Sequence, residues 1–295
     1  MNQQNSSGLI KIITLLVCAS GVAWSGFGLY GKYQQTQQFQ QVNDLLAQEK
    51  YSSAITAYDR LLTANVPQRD LIWINKGYAF LGLKRYQDML QSCSKATSIE
   101  PNAALGWNCQ GEALYYLQRE PDALEAFEKA TNKNPQEATF WLNKARVLSD
   151  LGEYTEAIAA SDKAIEFTKK YQKQNKAIAF NQKGQNLLKI GKYEESLAAF
   201  ERSLENFSDY LSAQQGKGIA LYELGNYEEA IAIFQKILQR DDLTEEQKAI
   251  SLVYTGVSLC QREKINAADK VFAEVLELTA NLQSQEIAEK GCGIR

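Results

Sequence analysis

The chain has 295 residues, of which 45% are apolar and 23% charged, with a formal net charge of −3. That balance is too apolar for a disordered chain, and length alone suits one or two globular domains. Histidine is absent, which excludes Ser-His-Asp and Cys-His relays, histidine-ligated metals and a histidine pH switch. A mildly acidic chain also lacks the clustered Lys and Arg that displace counterions from duplex nucleic acid, so no nucleic-acid partner is expected.

A short tail (1–8) precedes an apolar run from Leu9 to Tyr30 in which Lys11 is the only charge. About 20 such residues, each rising about 1.5 Å, cross a hydrocarbon core of roughly 30 Å. Residues 9–30 therefore read as a single-pass anchor in a lipid bilayer, with Lys11 placed to snorkel and Trp24, Phe27 and Tyr30 as an interfacial belt. The alternative is a signal peptide, cleaved at Gly21-Val22-Ala23 or Ala23-Trp24-Ser25. Against it, the run exceeds the roughly 7 to 15 residues of a signal core, and MNQQNSSG has no Lys or Arg. Lys11 and the α-amino group on one side, against Lys32 and the more distant Lys50 on the other, nearly balance the positive-inside count; the C-terminal part is expected, by a slight margin, on the exported side, periplasmic or lumenal. Residues 31–38, GKYQQTQQ, form a glutamine-rich linker.

Beyond the linker the chain repeats. Trp73, Trp107 and Trp141 are 34 residues apart. The same register aligns Gly77, Gly111 and Ala145, then Phe80, Leu114 and Leu148, then Met89, Ala123 and Ala157, then Ala96, Ala130 and Ala164; Pro101 and Pro135 each close a unit. Between Trp107 and Pro135 apolar residues recur at three and four, which predicts two amphipathic helices. The first runs from about Ala104 to Leu117. The second starts at Pro121, whose fixed φ suits a first turn, and runs to about Lys133. Gly111 and Ala123 let the backbones approach, while Trp107, Leu114 and Phe127 supply bulk between them. One such pair cannot bury both apolar faces, but stacked neighbours can.

This pattern resembles the tetratricopeptide repeat, whose signature places Trp, Leu-Gly, Tyr, Ala, Phe, Ala and Pro along 34 residues. The stretches 73–101 and 107–135 carry most of it, and 141–165 follows with Ala145 for Gly. Later units show Gly184, Tyr193, Ser196 and Phe200, then Gly218, Tyr227, Ala230 and Phe234, then Gly256, Ala268 and Phe272. Short insertions are expected near 169–174 and 241–246. The resemblance implies an all-α, right-handed superhelical solenoid of about seven helix-turn-helix repeats over 35–282, preceded by the transmembrane helix. The units fall at about 35–68, 70–103, 104–137, 138–171, 177–210, 211–244 and 249–282, with a C-terminal cap at 283–295.

The resemblance also implies a concave groove, lined by first helices, that receives a protein or peptide segment. The groove candidates are Ile74, Asn75, Tyr78, Asn108, Glu112, Tyr115, Asn143, Arg146, Asn181, Gln185 and Tyr222, a surface rich in amides and tyrosine. The clamp by which one subfamily holds a chaperone C-terminal carboxylate would need Lys, Asn and Arg. This chain has Ile74, Tyr78, Cys109, Thr139 and Asn143 there, so that ligand is not expected. Tyr51, Tyr86, Tyr154, Tyr193 and Tyr227 open second helices and read as packing residues.

Five cysteines (Cys18, Cys93, Cys109, Cys260, Cys292) form no CxxC pair and no metal-ligand spacing; they read as small buried hydrophobes and leave the redox compartment open. With no phosphate-cradling loop and no ligand cluster, neither a cofactor nor a metal nor catalysis is expected. The expected function is that of a membrane-tethered scaffold for protein–protein interaction, for example in assembling a membrane complex. The alternative is a secreted or self-associating structural adaptor.

Overall fold

The computed structural model describes residues 39–64, 67–169, 171–278 and 282–293. Among them the chain forms fifteen α-helices and no strand. The expected tail, anchor and linker at 1–8, 9–30 and 31–38 lie outside the described residues. No described helix is long and apolar enough to cross a membrane.

The chain divides into two compact units, the first ending at Gln136 and the second beginning at Glu137. The first holds three hairpins: α1 (39–47) with α2 (Tyr51–Thr63), α3 (Arg69–Gly82) with α4 (Tyr86–Ile99), and α5 (Ala104–Tyr116) with α6 (Glu120–Lys133). The second holds four: α7 (Ala138–Asp150) with α8 (Tyr154–Phe167), α9 (Lys173–Lys189) with α10 (Tyr193–Asn206), α11 (Leu211–Glu223) with α12 (Tyr227–Leu238), and α13 (Glu245–Gln261) with α14 (Ile265–Glu277). A cap helix, α15 (Leu282–Lys290), and a 3-10 turn (Gly291–Gly293) follow.

Within each unit every helix packs on the next. First helices also touch one another: α3 meets α5 in the first unit, and α7, α9, α11 and α13 adjoin in turn in the second. Each unit is thus a helical-repeat stack with one layer of first helices. Both expected insertions are partly taken up as an added turn at the start of a first helix, since α9 and α13 have 17 residues where α11 has 13.

Each hairpin reverses through one left-handed residue between its helices: Glu49, Lys84, Gln118, Gly152, Gly191, Gly225 and Glu263 all have φ between 57° and 80°. A β-carbon resists that conformation by about 1–2 kcal/mol; each of the four non-glycine turns is closed by a backbone hydrogen bond from the following residue, as from Arg85 N–H to the Phe80 carbonyl at 2.9 Å. Tyr51, Tyr86, Tyr154, Tyr193 and Tyr227 are the first residues of their helices and are half-buried. Tyr86 stacks on Tyr116 with centroids 5.0 Å apart. The signature tryptophans, expected as interior bulk, are only half-buried. Lysines lie over their rings instead, Lys76 at 4.9 Å from Trp73 and Lys129 at 4.5 Å from Trp107.

The interior contact that recurs is an aromatic ring from the second helix set against glycine on the first. Phe127, Phe200, Phe234 and Phe272 are all buried. A methyl group on Gly111, Gly184, Gly218 or Gly256 would meet those rings at 2.7, 2.8, 2.6 and 2.5 Å respectively. Only hydrogen fits there. In the fourth hairpin the wedge is the small, fully buried Ser161, and Ala145 stands in place of glycine.

In the second hairpin the wedge is Cys93, and this corrects the reading of the cysteines as separate hydrophobes. Cys93 on α4 is disulfide-bonded to Cys109 on α5, with Cα atoms 5.6 Å apart. The pair fills the space over Gly77, where a methyl would meet the two sulfurs at 2.9 and 3.1 Å. Cys260 and Cys292 form a second disulfide, with Cα atoms 5.3 Å apart. Partners 16 and 32 residues apart are brought together by helix stacking, which no local spacing motif announces.

Replacing Gly218 with alanine should destabilise the chain by about 1–3 kcal/mol through overpacking against Phe234, although alanine raises helix propensity by up to about 1 kcal/mol. Urea unfolding followed by circular dichroism checks the sign; an unchanged or higher midpoint would show that the ring is free to move aside.

Candidate protein-binding face

The first helices present polar side chains toward one another at intervals close to the repeat length, and hydrogen bonds between neighbouring repeats consume many of them. In the first unit Tyr58 Oη donates to Asn43 Oδ1 at 2.7 Å, and Asn75 Nδ2 donates to the same oxygen at 2.9 Å, joining α1, α2 and α3. Asn108 Nδ2 donates to Glu112 Oε1 at 2.6 Å and to Tyr78 Oη at 3.4 Å; Tyr78 Oη in turn donates to Glu112 Oε1 at 3.4 Å. That triad spans α3 and α5.

The second unit repeats the device with neutral groups. Gln182 Nε2 reaches the Leu142 carbonyl at 3.4 Å. Asn181 Nδ2 and Gln185 Nε2 both donate to Ser212 Oγ, at 3.3 and 3.1 Å. Gln215 Nε2 donates to the Gln247 carbonyl at 2.9 Å and to Ser251 Oγ at 3.2 Å. Interior amides are expected to be paired in this way, because an unpaired buried donor costs about 1–3 kcal/mol.

Burial therefore separates the groove candidates. Ile74, Asn75, Tyr78, Asn108, Glu112, Asn143 and Asn181 are buried and act as packing or as inter-repeat bonds, so a partner cannot reach them as the structure stands. Tyr115, Arg146 and Tyr222 are half-buried and Gln185 is exposed. Arg146 Nη2 donates to Asn143 Oδ1 at 3.4 Å. Tyr115 meets Tyr116 edge to face at 5.8 Å. Tyr222 lies 5.6 Å from both Tyr227 and Tyr254, and Tyr254 stacks on Phe234. Tyr254, half-buried at this face, was not among the candidates. The register offered the signal, since Tyr254 precedes Gly256 by the same two residues that separate Asn75 from Gly77.

Burial pushes the phenols of Tyr78, Tyr210, Tyr222 and Tyr254 above the ordinary range, Tyr78 most, with the Glu112 charge adding to the shift at Tyr78. Among the described residues no cluster of three Cys, Asp or Glu side chains could hold a metal ion.

Paired helices stacked through glycine–aromatic wedges, with first helices laced together by amides, define a helical-repeat protein. Two family models, both described as the tetratricopeptide repeat, match the chain: one over residues 39–104 and 181–243, the other over 136–209. Together they span more than half of it, and the chain belongs to the tetratricopeptide repeat family.

No curated protein matches the chain in sequence. Among solved structures it is similar to PilW, described as a widely conserved type IV pilus biogenesis factor, at 22% identity and a TM-score of 0.65, covering 76% of this chain and 99% of that one. It is also similar to PilF of Pseudomonas aeruginosa, at 19% identity and a TM-score of 0.63, covering 75% and 97%. A third is YrrB, described as having an unusual peptide-binding site, at 19% identity and a TM-score of 0.54, covering 67% and 95%. At these identities the likeness is one of fold.

Tyr78→Ala should destabilise the first unit by roughly 3–5 kcal/mol, as expected for a large side chain removed from a core; Tyr115→Ala should cost about 1 kcal/mol or less. Denaturant midpoints of the two variants test the assignment of Tyr78 to the interior. The raised phenols also give a pH dependence. An acid whose folded pKa lies above its unfolded value contributes stability that is complete below about pH 10 and is lost as pH rises through the folded value. Unfolding free energy should accordingly be flat from neutrality to about pH 10 and fall above it, less steeply in Tyr78→Phe.

Proposed function

We propose that this protein is a non-enzymatic scaffold for protein–protein interaction, held at a membrane through residues 9–30, whose first-helix face grips a segment of a client during assembly of a membrane complex. The observation that carries this reading is the contrast on that face. Buried amides such as Asn75 and Asn181 are bonded to neighbouring repeats, while Tyr115 in the first unit, and Arg146 and Tyr222 in the second, stand half-buried on first helices already held in register within their unit. Such preorganisation lowers the entropy lost on binding, and aromatic faces beside amide groups suit an extended segment or a helix. The description of YrrB as peptide-binding and of PilW as a biogenesis factor supports the reading by analogy of fold alone.

The exported side of the membrane is proposed for the repeats. Two disulfides support it, because such bonds persist mainly in oxidising compartments. Tethering would raise the effective concentration of the face near membrane clients.

A photo-crosslinking residue placed singly at Tyr115, Gln185 or Tyr222 should capture discrete protein partners in the native membrane, whereas the same group at exposed Glu201 on α10 should capture few. Equal yields from both faces would overturn the assignment. Alkaline carbonate should leave the full chain in the membrane pellet, and release would remove the tether.

A further inference from the structure

The two disulfides differ in the properties that govern thiol–disulfide exchange. Cys93 and Cys109 are fully buried, packed over Gly77 in the place of an aromatic wedge. Cys260 and Cys292 are only half-buried. Cys260 is the penultimate residue of α13, and Cys292 lies in the 3-10 turn after α15. Their bond ties the end of the described chain back to the last hairpin across 32 residues.

What that bond holds is a short element. With nine residues, α15 is shorter than the about 12–15 residues at which an isolated helix becomes even marginally stable, so it depends on docking. It buries Ala288 against the cluster of Leu252, Val253, Leu259, Phe272 and Val275, with Ile287 partly covered. Gln285 Nε2 donates to the Leu278 carbonyl at 3.3 Å. The Lys290–Glu286 ion pair lies within the helix itself and adds nothing to docking.

We propose that Cys260–Cys292 is a reducible clasp, opened by a dithiol reductant to release the cap helix from the last repeat, while Cys93–Cys109 is a permanent part of the core. A thiolate of the dithiol attacks one half-exposed sulfur, forming a mixed disulfide and expelling the other cysteine as thiolate. The second thiol of the reductant then closes its own disulfide and frees the remaining cysteine. Two electrons and two protons pass from the dithiol to Cys260 and Cys292. Attack needs access to sulfur, which the half-buried pair allows and the buried pair denies. With the clasp open, α15 leaves and uncovers the apolar side of the last hairpin; reoxidation closes it.

The test uses the full chain, the small dithiol dithiothreitol, alkylation of freed thiols, and peptide mass spectrometry beside hydrogen exchange. Cys260 and Cys292 should be alkylated about tenfold or more faster than Cys93 and Cys109. Amides of 282–293 should lose protection in step with that labelling, while those of α3 to α5 keep theirs. The double variant Cys260→Ser with Cys292→Ser should show the same loss without reductant. Equal or faster labelling of Cys93 and Cys109 would overturn the proposal, as would a cap that stays protected after reduction or in the double variant.

Discussion

The stack depends on a steric match repeated along the chain: a second-helix ring seated where the first helix has no side chain. Close packing makes each such contact intolerant of one added carbon. The match also sets the depth at which two helices of a hairpin meet, and hence where the faces for the next hairpin lie. Two of the hairpins that depart from it show what the contact requires. Cys93, bonded to Cys109, fills the wedge with sulfur and adds a covalent tie to the following repeat. Ser161 leaves the wedge small where Ala145 replaces glycine.

Stacking through wedges leaves the first helices side by side, and their polar residues must then be paired or exposed. The chain does both. Asn43, Asn75, Tyr78, Asn108 and Glu112 lace the first unit, while Asn181, Gln185, Gln215 and their serine partners lace the second. Specificity of register and openness to a partner thus draw on the same residue types at neighbouring positions. Burial distinguishes them, and residue identity does not.

That distinction explains what could be read in advance. The helices of the third hairpin, α5 and α6, lie within a residue of the expected limits, because periodicity and Pro121 are local signals. Tyr86, Tyr193 and Tyr227 open second helices as expected for the same reason. Tyr78 and Tyr115 were both expected to line the groove. In the structure Tyr78 is 1% exposed and bonded to Glu112, whereas Tyr115 is half-open. The two occupy different places in the register, five residues after Trp73 and eight after Trp107, and only the first is covered by the neighbouring repeat, through Asn108 and Glu112.

The sequence by itself determined the repeat and its helices, since these follow from the spacing of glycine, aromatic residue and proline within about 34 residues. Tertiary structure alone decided which amides are interior, which tyrosines face outward and which cysteines meet. Each of those outcomes is a contact between residues tens of positions apart, and it depends on the packing depth of hairpins rather than on either residue's own neighbourhood.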